Sequence, residues 1–142
     1  MVNEQRLYTV DDVWDLAHQP GNDNLRYELI DGELLTMSPP GYLHGRLALD
    51  IGSAIRAWVK RYDLGGVTVE TGYHPSGDRH TLLSPDVAFL SKAKVPLNSR
   101  EKFAPAMPEL AVEIQSPADS LSQLHRKADN VLATWYEYGL DC

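Results

Sequence analysis

The chain reads as an α/β domain of the α+β kind, with a mixed β-sheet, an N-terminal hairpin and flanking helices. Three observations carry that reading. Two β-prone runs, 25–30 and 33–37, surround Asp31-Gly32, a dipeptide that accepts the positive φ angles of a type I′ turn. Leu43, Leu47, Ile51, Ile55 and Trp58, with Ala54 and Val59, then recur at helical spacing. Three short apolar strands and a second amphipathic stripe follow, so the order is hairpin, helix, three strands, helix.

The elements follow in order. Thr9 before Val10-Asp11-Asp12-Val13-Trp14 is an N-cap with acids in the first turn, opening a short helix to about residue 17. Residues 19–24 form a loop by composition. The hairpin closes at Ser38-Pro39-Pro40-Gly41, and the long helix runs to about Tyr62, where Gly65-Gly66 ends it. Val67–Thr71 reads as a strand, as do the runs around Asp86 and Glu113, separated by a long loop from Ser91 to Pro108. Asp119 or Ser120 caps the last helix, whose stripe is Leu121, Leu124, Ala128, Val131, Leu132 and Trp135, with Gly139 as its stop.

With 142 residues, the chain fits one domain over 1–142 that can bury a real core. A sheet of this kind ordinarily gains another strand after the last helix, so the domain reads as one short of that strand. No run of about 18 apolar residues suggests a membrane span. The start lacks a basic region followed by an apolar stretch, so a cytoplasmic location is the default expectation. The single cysteine, Cys142, leaves no internal disulfide and no cysteine metal cluster.

The net charge is −7, which counts mildly against tight nucleic-acid binding. Only the middle third is basic. Arg56, Lys60 and Arg61 lie on one helix, and Lys92, Lys94, Arg100 and Lys102 lie in one loop. Ordinary solvated surface charge is the favoured reading of these residues.

The chemistry concentrates on two acids. Asp86 sits in Leu83-Ser84-Pro85-Asp86-Val87-Ala88-Phe89-Leu90, and Glu113 in Leu110-Ala111-Val112-Glu113-Ile114-Gln115-Ser116-Pro117. A carboxylate in such an apolar run is costly to desolvate unless it is paired, hydrogen-bonded or bound to a metal. Each strand can bury one face and present its acid on the other. Parallel or antiparallel neighbours, about 4.8 Å apart, bring both carboxylates within reach of one ion. Hard oxygen ligands favour Mg²⁺ or Mn²⁺ over zinc. On spacing alone, two surface acids at strand margins explain the pattern at least as well. Lys127 lies roughly 80–90° from the centre of the last helix's stripe, where a long side chain can lean toward a polar site. His74 and His80 share a polar loop with no third ligand nearby. A phosphate loop, a zinc helix and a nucleophile elbow are all missing from the sequence.

These residues resemble a known pattern: Pro-Asp at one strand, Glu-x-x-Ser-Pro at the next, and a Lys fourteen residues beyond that Glu. The chain is similar here to a bacterial group of endonucleases in the PD-(D/E)XK, restriction-endonuclease-like superfamily. Tyr27-Glu28-Leu29-Ile30-Asp31-Gly32-Glu33-Leu34 and Met37-Ser38-Pro39-Pro40 followed by His44 resemble its N-terminal signature, so the likeness spans about residue 8 to the end. The resemblance implies that Asp86, Glu113 and the backbone carbonyl of Ile114 bind Mg²⁺ or Mn²⁺, and that Lys127 replaces a lysine found two residues after the Glu in many members. That place is held here by Gln115, which can hydrogen-bond a ligand water. Glu28 corresponds to an additional acid and His44 to a histidine facing the active site.

Two features depart from the pattern. The aromatic and Gly expected four and eight residues after the helix Lys appear one turn later, as Trp135 and Gly139, and the usual closing Val-x-Trp strand does not follow. The implied activity is metal-dependent hydrolysis of DNA or another phosphodiester. The alternative is a non-catalytic binding module that keeps the nuclease fold. Proteins of this kind are commonly dimers, and an exposed sheet edge permits a homodimer.

Overall fold

A computed structural model describes residues 6–139 apart from 24, 38, 99 and 118. Ser38 of the N-terminal signature and Cys142 therefore lie outside the described residues. The elements are α1 (Val10–Ala17), β1 (Arg26–Ile30), β2 (Glu33–Met37), α2 (Tyr42–Arg61), β3 (Gly65–Val69), β4 (Val87–Ser91), β5 (Leu110–Val112) and α3 (Leu121–Thr134). This is the α+β order expected from the sequence. Among the described residues no helix is long and apolar enough to cross a membrane.

Local signals act as expected at both ends of the chain. The Thr9 hydroxyl accepts the Asp12 amide and the Asp12 carboxylate accepts the Thr9 amide, a capping box that starts α1. Asp31 and Gly32 take φ of +50° and +79°, so the hairpin turns as the dipeptide requires. Ser120, rather than Asp119, caps α3, in a second capping box with Gln123. The last helix then passes into a π turn, Trp135–Gly139.

The expected mixed sheet resolves into two antiparallel ones, β1-β2 and β3-β4-β5. Among the described residues the parallel component is one isolated bridge, Tyr73 to Ala104. The hairpin docks through paired hydrogen bonds between Leu29 and Leu82, 2.8 and 3.0 Å. Val10 and Val13 of α1 cover the junction, packing with Tyr27, Leu29 and Leu82. Every residue from Thr81 to Ala88 is buried. Asp86 thus reaches the site along the longest unbroken buried run among the described residues.

Two expectations are corrected. The glycines 65 and 66 do not stop α2; they open β3, paired with Ser91 and Leu90. The buried face of α2 also differs from the expected one. His44, Ala48, Gly52 and Val59 are buried, whereas Leu43, Leu47 and Trp58 are 55, 37 and 60 % exposed. Ile51, Ile55 and Val59 of the expected stripe do pack inward, so the face is turned by about 60° and not replaced. The reason is close approach: small Ala48 and Gly52 let the helix lie against Val87 and Val69, and this rotation sends His44 inward. The stripe of α3 is likewise only partly covered, since Leu121 and Leu132 are 57 and 46 % exposed.

The two glycines lead to opposite expectations. Gly65 has φ +153°, and a Cβ there overlaps the Leu90 carbonyl oxygen. Gly65→Ala should cost about 2–3 kcal/mol. Gly52 is helical, and a Cβ there meets Val69 at 3.5 Å, an ordinary contact. Gly52→Ala should therefore add about 0.5–1 kcal/mol through helix propensity. Urea denaturation of both variants checks the pair; equal signs would contradict the packing described.

Candidate active site

The antiparallel ladder sets the site. Val69 pairs with Val87, and Val87 with Val112. One step past these strand ends, the same register aligns Glu70, Asp86 and Glu113. The Glu70 amide donates to the Asp86 carbonyl at 3.2 Å. Across the other gap, the Ile114 amide donates to Asp86 Oδ2 at 2.7 Å. The side chain thus takes an amide that a continuing ladder would give to a carbonyl, which accounts for β5 ending at Val112.

Other elements add polar groups around Asp86. His44, in the first turn of α2, places Nε2 3.1 Å from Asp86 Oδ1, with both side chains nearly fully buried. From the start of β1, the Arg26 guanidinium lies 3.4 Å from the same oxygen and 3.3 Å from Glu70 Oε1. Two residues along β1, buried Glu28 accepts the Ser84 amide at 2.9 Å. Among the described residues His44 Nδ1 and Arg26 Nε are buried without hydrogen-bond partners.

The electrostatics are those of crowded acids. Burial raises the Glu113 carboxyl most, the Asp86 and Glu28 carboxylates raise it further, and Lys127 and Arg26 oppose them; the result is about 8. Burial also raises Glu28, against the Ser84 amide, Lys127 and Arg26. These shifts are those expected of desolvated like charges. Between about 4.5 and about 8 the folded chain keeps a Glu113 proton that the unfolded chain has released. Stability from this group is thus full at the acidic end and lost as pH rises toward about 8. Urea midpoints measured in chelator should fall over that window in the native chain, and the fall should flatten in Glu113→Gln.

The structure gathers Asp86, Glu113, Glu28 and His44, with the Ile114 amide on Asp86. Lys127 stands near enough for its charge to act on Glu28 and Glu113. Its ammonium also pairs with Asp119 Oδ2 at 3.5 Å. Gln115 is not gathered in: its exposed amide donates to the Asp119 carbonyl at 3.0 Å. His74 and His80 place Nδ1 against the carbonyls of Pro75 and Tyr8. In the basic loop, Lys92, Lys94 and Lys102 pair with Asp63, Glu109 and Asp11.

Sequence reasoning missed Arg26 and Glu70. Arg26 left a signal, because residues two apart on a strand share a face, and Glu28 is two positions on. Glu70 left none, since only the β3-β4 register brings it beside Asp86.

A family model, Uma2, described as "Putative restriction endonuclease", matches residues 13–130. The chain belongs to the Uma2 family. The matched span contains Glu28, His44, Asp86, Glu113 and Lys127. Among solved structures, a putative nuclease belonging to DUF820 from Anabaena variabilis ATCC 29413 is similar to it. The TM-score is 0.66 and the identity 19%, covering 89% of this chain and 68% of that one. At that identity the likeness establishes a shared fold, which the Uma2 chain thus has in common with a nuclease-like protein. Comparison with curated proteins gives no match.

Proposed function

We propose that this Uma2 chain is a divalent-cation-dependent endonuclease that hydrolyses phosphodiester bonds in DNA. The observation that carries the reading is the alignment of Asp86 and Glu113 across adjacent strand ends, with Glu28 behind them and Lys127 acting on the cluster. Among the described residues no three or more His, Cys, Asp or Glu side chains form a finished ligand set. The donors are instead two carboxylates and a backbone carbonyl, all hard oxygens suited to Mg²⁺ or Mn²⁺. The carboxyl of Glu113, raised to about 8 among like charges, is the sign of a site short of positive charge.

Asp86, Glu113 and the Ile114 carbonyl would hold the cation, which supplies a bound water of lowered pKa and neutralises charge on the phosphate. The chain's own groups do the rest. His44 and the Ile114 amide fix Asp86 by contacts to its two oxygens, so the carboxylate meets its ligand preorganised. Lys127 orients the attacking water and offsets charge developing on the phosphate. Glu28 adds negative charge behind the pair. Gln115 reaches a ligand water only by leaving Asp119.

Nicking of supercoiled plasmid with Mn²⁺ or Mg²⁺, abolished by chelator, tests the reading. Lys127→Met should lower the cleavage rate about 100-fold while Mn²⁺ affinity, measured by calorimetry, is kept. A folded protein that binds neither cation would reject the nuclease in favour of the binding module. Unchanged cleavage by Lys127→Met would remove the lysine from its role.

A further inference from the structure

The acids exceed the fixed cations around Asp86, and one of those cations holds an unusual position. Arg26 lies between two carboxylates, 3.3 Å from Glu70 Oε1 and 3.4 Å from Asp86 Oδ1. Both separations exceed the 2.7–2.9 Å typical of a charge-assisted bond. Its side chain is 18 % exposed, against 3 % for Asp86 and 34 % for Glu70. Its Nε is buried with no hydrogen-bond partner among the described residues. Nη1 and Nη2 each donate to Asp86 Oδ1 at 3.4 Å while Nη1 also faces Glu70, so the guanidinium is shared between two acids through long contacts.

Glu70 is built for this contact. Its φ is +50°, a left-handed conformation that a non-glycine residue adopts only at a cost. The Asp86 carbonyl, accepting the Glu70 amide, ties that turn to the strand end. Extended backbone would continue the β3 ladder; the left-handed residue ends it and leaves the carboxylate on Arg26.

We propose that Arg26 is the internal counterion of the acid cluster, competing with a divalent cation for Asp86, and that Glu70 is the acceptor to which it withdraws. This rests on the cation site proposed above. Arg26 neutralises Asp86 while the site lacks its cation. When Asp86 serves as a ligand, Arg26 moves fully onto Glu70, remaining a positive group at the edge of the site. It is a positioning residue, acting through Asp86.

The test is calorimetric titration of Mn²⁺ into the full chain and its variants, with thermal denaturation in chelator alongside. Arg26→Met should bind Mn²⁺ about tenfold more tightly, since a competing charge is removed. Glu70→Gln should bind it several-fold more weakly, because Arg26 loses its alternative acceptor. In the Arg26→Met background Glu70→Gln should change affinity by less than about twofold, as expected when one residue acts only through the other. Arg26→Lys, which keeps the charge, should stay close to the native affinity. Should Arg26→Met fail to melt cooperatively, Arg26→Gln takes its place.

Equal or weaker Mn²⁺ binding by the neutral Arg26 variant overturns the proposal. Equal effects of Glu70→Gln in both backgrounds remove Glu70 from it. Failure of the cation site itself is distinguishable: the native chain then binds no Mn²⁺. The counterion is tested even so, because in chelator Asp86→Asn should cost less stability in Arg26→Met than in the native chain. Additive losses there overturn it.

Discussion

Asp86→Ala should abolish cation-dependent cleavage and also lower stability by about 3 kcal/mol or more. Both effects follow from one buried carboxylate. Its Oδ2 takes the Ile114 amide at 2.7 Å, and its Oδ1 faces both His44 and Arg26. Removing it leaves the buried Ile114 amide unpaired, takes the acceptor from His44 Nε2, and leaves Arg26 with Glu70 alone. An Asp86 whose only task was to meet an ion could be replaced without structural cost; this one cannot. Asp86→Asn, which keeps an oxygen for the Ile114 amide, should lose cleavage with a smaller stability penalty. Urea denaturation in chelator and plasmid nicking measure the two effects. Native stability in Asp86→Ala would contradict the geometry, and native cleavage would sink the nuclease assignment.

Glu113→Gln should have the opposite effect on stability and the same effect on activity. The Glu113 carboxyl is raised by burial and by Asp86 and Glu28, so its ionised form is disfavoured by its surroundings. A neutral amide of the same shape removes that repulsion, and stability in chelator at pH 8 should be unchanged or higher. Mn²⁺ binding should weaken about 100-fold through loss of a charged ligand, and nicking should fall to background. A stable variant without activity separates a ligand from a structural acid, which Asp86→Ala by itself does not. Full activity in Glu113→Gln would mean that Asp86 acts without it.

The parts of the fold legible in the sequence are those decided by local chemistry. Asp31-Gly32 accepts its turn whatever surrounds it, and Thr9 and Ser120 satisfy amides within three residues of themselves. The burial of α2 was legible only in part, through Ile51, Ile55 and Val59. Leu43, Leu47 and Trp58 form a larger apolar stripe than His44, Ala48 and Gly52, yet the smaller one faces the sheet. Side-chain size favours the first, but close approach between backbones favours the second. Only the assembled sheet weighs the two. Gly65 makes the same point. Beside Gly66 it looks like a helix stop, but its φ of +153° serves close contact with Leu90 across β3-β4.

The sequence marked Asp86 and Glu113 through their apolar strand runs and Lys127 through its place on the helix margin, whereas Glu28 and His44 came from the resemblance to the endonuclease group. Spacing alone left the acid pair as consistent with strand-margin acids as with a site. Tertiary structure decided their relation: the ladder put Asp86 opposite Glu113, docking of Leu29 on Leu82 set Glu28 at the Ser84 amide, and the rotation of α2 brought in His44. It also supplied Arg26 and Glu70 and directed the Gln115 amide to Asp119. The physical reason is range. A cap or turn is satisfied within a few residues, whereas a carboxylate's neighbours depend on strand register and helix rotation, both set by packing between distant parts of the chain.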